Sequence, residues 1–198
     1  MEKDRLGTFS DGVIAIILTI MVLELKAPAD TGWTALREII PDLLSYVLSF
    51  IYVAIYWNNH HHLLHTVERV NGAILWANMH LLFWMSLIPL TTAWVRENHY
   101  STAPTAIYGV VLLLCAVAYF VLQITIVHAH GENSLLKRAL GRDLKGKLSP
   151  PFYLTGIIIA FVSPFYANII YAAVACIWLI PDRRIEKAVT DDEPSSRA

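Results

Sequence analysis

The feature that most constrains this chain is a run of about 20 residues near its start, RLGTFSDGVIAIILTIMVLEL, from Arg5 to Leu25. At about 1.5 Å of rise per residue, a helix of that length spans the roughly 30 Å hydrocarbon core of a bilayer. A plain anchor has no reason to keep Arg5, Asp11, Thr19 and Glu24, yet all four lie within the run. Ionisable groups inside a span are costly, and by default they face a partner or a water-filled path. What this helix faces is therefore the first question about function.

The rest of the chain has the same character. Of 198 residues, 56% are hydrophobic and only 16% are charged, where soluble domains carry about a quarter. The apolar residues form long runs joined by short loops, which predicts an all-α polytopic membrane protein with no soluble domain. Residues 1–181 read as a single transmembrane domain and 182–198, ending VTDDEPSSRA, as a short disordered cytoplasmic tail. Cys115 and Cys176 both sit inside apolar runs and read as small packing or lipid-facing residues, with no disulfide or metal site implied. The start superficially resembles a cleavable signal peptide ending at Ala27-Pro28-Ala29. Asp11 and Glu24 bracket its apolar run, however, and Glu2 and Asp4 offset its basic start, so the helix is expected to be retained.

Six spans follow from the hydropathy pattern. After the first, Lys26 to Asp42 reads as a polar connection with a short amphipathic piece, WTALREII. The second span covers about Leu43 to Leu64 and ends in YWNNHHHLLH; the third runs from about Ala73 to Val95, with a kink expected at Pro89. The fourth, about Thr105 to His128, is apolar almost all round and is expected to face lipid. A polar loop, HGENSLLKRALGRDLKGKLSPP, precedes a last apolar region from Phe152 to Ile180, read as two short helices joined at Pro164. Lys and Arg accumulate in cytoplasmic loops. With six spans, twelve of the fifteen basic residues fall on the side of the two termini, and only Lys26, Arg37 and Arg96 fall on the other. Both termini are therefore expected in the cytoplasm, with the chain multi-pass in the cell's inner membrane.

Along the first helix, Ile16, Thr19, Ile20 and Leu23 share one face by the i, i+3, i+4, i+7 rule. Phe9 and Gly12 extend this stripe toward the start, while Asp11 points about 140° away from Ile16. Spacing alone leaves two readings open: an ordinary packing stripe, with Asp11 satisfied by a nearby donor, or a face toward a pathway.

Arg5-x-x-x-Phe9-Ser10-Asp11-Gly12-Val13, followed by Ala15-Ile16-x-x-Thr19, resembles the first-helix signature of the lysosomal potassium channel family, transmembrane protein 175. Tyr56-Trp57-x-x-His60-His61, Leu75-Trp76-x-Asn78 and Ser86-Leu87-x-Pro89 add to the match. The resemblance covers all six spans, the last three in hydropathy only. It implies a bacterial six-helix homologue that assembles as a homotetramer in the lipid bilayer, with four first helices lining a pathway for potassium and other monovalent cations. On this resemblance, Ile16 forms the hydrophobic constriction, Ile20 and Leu23 continue the lining, and Thr19 contributes to selectivity. Arg5, Phe9, Ser10 and Asp11 belong to a packing network with Trp57, His60, His61 and Asn78.

Physical chemistry agrees with that picture. A ring of isoleucines can gate by dewetting, and a ring of threonine hydroxyls can replace part of an ion's hydration shell. The chain has no TVGYG-type loop, so modest potassium preference over sodium is expected. Glu24 reads either as a cation-concentrating group near one mouth or as an interfacial carboxylate paired with Lys26. Eight histidines invite other functions. His61 and His65, at i and i+4, have metal-binding spacing, and a proton- or metal-coupled secondary transporter using the His60–His65 cluster is the alternative. That alternative calls for an inverted repeat, and none is visible. His62 and His80 are expected to make conduction depend on pH, because histidine titrates near neutrality. No nucleophile or cofactor constellation assembles, so no enzyme activity, no cofactor and no nucleic-acid partner are expected.

Overall fold

The computed structural model describes residues 3–28, 32–131, 136–137 and 144–179. Its elements are α1 (Lys3–Leu23), α2 (Trp33–His65), α3 (Gly72–Ser86), α4 (Ile88–Glu97), α5 (Thr102–His130), α6 (Leu144–Ala160) and α7 (Pro164–Leu179). No strand occurs among the described residues. Lys3–Leu23, Arg37–His65, Gly72–Glu97 and Thr102–His130 are each long and apolar enough to cross a membrane, and Pro164–Leu179 is apolar but shorter. With α3 and α4 forming one broken crossing, the elements make six passes. The tail from 182 onward lies outside the described residues.

Proline accounts for the break in the third crossing. Pro89 occupies the first turn of α4, where its missing N–H costs nothing, and Leu87 separates the two helices. The hydroxyls of Thr91 and Thr92 return to the carbonyls of Leu87 and Ile88, at 3.0 and 2.7 Å. Two expected boundaries are corrected. The polar connection ending at Asp42 is helical from Trp33, and Pro41 lies inside α2. Likewise Pro150 and Pro151 lie inside α6, which begins at Leu144, well before the expected Phe152. Each of these helices is held by tertiary contacts near its proline. Tyr100 donates to the carbonyl of Pro41, and Trp178 Nε1 donates to Ser149 Oγ at 2.7 Å.

The fourth crossing is two-sided. Ile107, Val117, Phe120, Val121 and Ile124 are exposed, as the expected lipid-facing helix requires. The other side of α5 packs against α3, α4, α6 and α7. Its buried residues include Ala106, Gly109, Cys115, Ala118 and Gln123. A helix apolar all round suits a protein core as well as it suits lipid. Small side chains decide which, because helices in a bilayer associate by close packing rather than by a hydrophobic drive. A Cβ on Gly109 would lie 2.0 Å from Tyr171 Oη, and one on Gly156 would lie 2.4 Å from Tyr171 Cε1. The two glycines make the slot that the buried Tyr171 fills between α5 and α6.

The connections place alternate helix ends together. At the N-terminal end of the bundle, Lys3 Nζ donates to the carbonyl of His65 at 3.3 Å. Nearby, the backbone N–H groups of Glu68 and Arg69 donate to His130 Nε2 at 3.1 and 3.2 Å. At the opposite end, Glu24, Asp42, Glu97 and Tyr100 gather. α1 packs against α2, α3 and α4, which leaves it at one edge of the protomer.

Candidate functional site

α1 has two faces of different character. Leu6, Ser10, Ile14, Ile17 and Met21 are buried and recur every three or four residues, which is one side of a helix. On the other side Phe9, Ile16, Ile20 and Leu23 are exposed, Leu23 at 76%. Gly12 and Thr19 are exposed with them, and a Cβ at Gly12 would meet nothing within 4 Å. The stripe expected from spacing is thus the side that the protomer leaves uncovered. Thr19 Oγ1 donates to the carbonyl of Ala15 at 2.9 Å. Its hydroxyl proton is committed to its own helix, so the oxygen lone pairs point outward, toward whatever fills the space beside Ile16 and Ile20.

The buried face is fixed by a directional polar chain. Ser10 Oγ donates to the carbonyl of Leu6 at 2.9 Å, so it accepts from Asn78 Nδ2 at 3.0 Å. Asn78 Oδ1 then accepts from His60 Nε2 at 2.7 Å, which places the imidazole proton on Nε2. Ser10 and Asn78 are fully buried and His60 is 1% exposed. One chain of hydrogen bonds therefore ties α1, α3 and α2 together. Asp11 is anchored separately: Trp57 Nε1 donates to Asp11 Oδ1 at 2.9 Å. Asp11 and His60 also border a cavity of about 200 Å³ at the N-terminal end, shared with Asp4, His61 and His65. The Asp11 corner thus faces protein on one side and an open recess on the other.

Of the residues grouped in the expected network, Ser10, Asp11, Trp57, His60 and Asn78 are brought together. Arg5 and Phe9 are exposed on the protomer surface and lie outside the hydrogen-bonded set. His61 joins through its ring, 6.0 Å from that of Trp57, and its Nε2 lies 3.1 Å from His65 Nε2. Only one proton fits between two such nitrogens, so that pair shares it. Among the described residues no three His, Cys, Asp or Glu side chains converge as a metal site would require. His80 Nε2 accepts from Trp84 Nε1 at 2.8 Å, away from the network. Glu24 lies 4.0 Å from Arg96, whereas Lys26 pairs with Glu97 at 3.1 Å. Two residues went unrecognised in the sequence, Arg96 and His130. His130 accepts from the turn after α2 and contacts the Ile126 carbonyl through Nδ1 at 2.9 Å. No spacing rule links residues 62 apart.

Comparison with known proteins places these features in context. The family model described as endosomal/lysosomal potassium channel TMEM175 matches residues 5–89, which include both faces of α1 and the polar chain. A protein of Chryseobacterium sp. named as a potassium channel is 53% identical over 97% of this chain and 100% of its own length. The zebrafish (Danio rerio) protein named as an endosomal/lysosomal proton channel, TMEM175, is 28% identical over 58% of this chain, a stretch that spans 22% of that protein. The crystal structure of a lysosomal potassium-selective channel TMEM175 homologue from Chamaesiphon minutus superposes with a TM-score of 0.80 at 24% identity. It covers 91% of this chain and 98% of its own, which establishes the fold.

Proposed function

Since this chain belongs to the endosomal/lysosomal potassium channel TMEM175 family, we propose that it is a passive, potassium-permeable channel whose pathway is lined by four copies of α1. One protomer has a single α1 and cannot enclose a path; a homotetramer places four uncovered stripes around an axis. Ile16 forms the constriction, Ile20 and Leu23 continue the lining, and Thr19 provides a ring of hydroxyl oxygens. The protein sits in the inner membrane with both termini cytoplasmic, as the distribution of basic residues favours.

The observation that carries this reading is the outward Thr19 oxygen between Ile16 and Ile20. Its free lone pairs, on the uncovered side of α1, are what a partly dehydrated cation needs. Hydroxyl oxygens around a hydrophobic ring discriminate less than a filter of backbone carbonyls, so potassium preference is modest. Ser10, Asp11, Trp57, His60 and Asn78 hold α1 from behind and do not touch ions.

The test is a reversal-potential measurement on purified protein in planar bilayers under a potassium/sodium gradient. Ile16→Asn widens and wets the constriction and is expected to raise flux. Thr19→Val removes the oxygen ring and is expected to lower the potassium-to-sodium permeability ratio several-fold. Unchanged conductance and selectivity in both variants would remove α1 from the pathway. Unitary current steps in the wild type separate this reading from a slow alternating-access transporter.

A further inference from the structure

Arg96 lies in the last turn of α4 and is 6% exposed. Its Nη2 has no hydrogen-bond partner among the described residues. Three carboxylates surround the guanidinium at charge-interaction distance: Glu24 Oε2 and Glu97 Oε1 at 4.0 Å from Nη2, and Asp42 Oδ2 at 3.9 Å from Nε. They come from just beyond α1, from within α2, and from the end of α4 itself. Beside this cluster, Lys26 Nζ pairs with Glu97 at 3.1 Å and gives the segment after α1 a second tie to α4.

The electrostatics make Arg96 the hub. A guanidinium this deep is tolerated only with anions around it, and the C-terminal end of α4 favours a cation there. Glu24 is in the opposite position: it follows the C-terminal end of α1, where the helix dipole disfavours an anion. Without Arg96, Glu24, Asp42 and Glu97 converge with no buried cation between them.

We propose that Arg96 is a positioning residue for the ion pathway, clamping the end of α1 through Glu24 to α2 and α4, so that the uncovered stripe keeps its setting as far as Leu23. The clamp rests on the channel reading above for its functional consequence, and on the local geometry alone for its existence. Five residues, or about 7.5 Å along the helix axis, separate Glu24 from Thr19. The clamp therefore governs how often the pathway is open, and not which ion it prefers.

The test uses the full-length tetramer reconstituted in liposomes. A spin label is placed at Leu25→Cys, with Cys176→Ser removing the exposed native thiol. Glu24→Gln, half-exposed and therefore safe for folding, is expected to raise label mobility and to shift open probability by about fivefold, a change equivalent to about 1 kcal/mol. The reversal potential should stay at its wild-type value. Arg96→Gln should act in the same direction, Arg96→Lys should restore most of the wild-type behaviour, and the Glu24→Gln, Arg96→Gln pair should be no worse than Arg96→Gln alone. Wild-type label mobility in Glu24→Gln, or strict additivity of the two glutamine substitutions, overturns the clamp whatever the currents do. Raised mobility with unchanged currents, alongside silent Thr19 and Ile16 variants, would instead reject α1 as the pathway and leave the clamp standing.

Discussion

In the chain from His60 to Leu6 every hydrogen bond has one direction, so single substitutions have directional consequences. Replacing Asn78 by Leu strands the His60 Nε2–H and withdraws the donor from Ser10, both buried groups. Interhelical hydrogen bonds in membrane proteins average about 0.6 kcal/mol and reach about 1.7, and orphaned buried groups add to the loss. Asn78→Leu is therefore expected to cost about 1–3 kcal/mol in detergent unfolding, while Trp57→Phe, at the exposed Asp11 bond, costs less than half as much.

At the scale of elements, α1 was the most legible and α5 the least. The stripe on α1 follows from helical period alone, and the same period places Leu6, Ser10, Ile14, Ile17 and Met21 on the buried side. For α5 the period is silent, because a helix apolar all round gives no angular signal. Only its partners decide between core and lipid, and the small residues that admit those partners are meaningful once the neighbours are known. Gly109 illustrates this. Gly109→Ala would force a methyl into the Tyr171 ring and is expected to destabilise the fold by about 1–3 kcal/mol, as overpacking does, whereas Gly12→Ala should leave the thermal stability of the protomer unchanged. Equal melting temperatures for the two variants would contradict the α5–α6 slot. The prolines follow the same logic. Pro89 was readable as a break because it begins α4, but Pro41, Pro150 and Pro151 lie inside helices, where neighbouring side chains outweigh the backbone bond that each removes.

At the scale of the whole molecule, the proposed pathway needs four copies of the uncovered α1 stripe. Cross-linking in mild detergent is expected to give a ladder ending at four chains, and an endpoint at one or two would reject the four-fold pathway. What the sequence by itself determined was the membrane class, the crossings, the break at Pro89 and the two-sidedness of α1. All of these follow from local rules: bilayer thickness against helix rise, the missing proline N–H, and the 3.6-residue period. What only the tertiary structure decided was which residues meet across helices. Asn78 bonds both Ser10 and His60, Trp57 holds Asp11, Arg96 gathers Glu24 and Asp42, and α5 packs against α3, α4, α6 and α7. Such pairings join residues far apart in sequence, and in a bilayer they are selected by close packing and hydrogen-bond satisfaction, neither of which leaves a periodic trace in the chain.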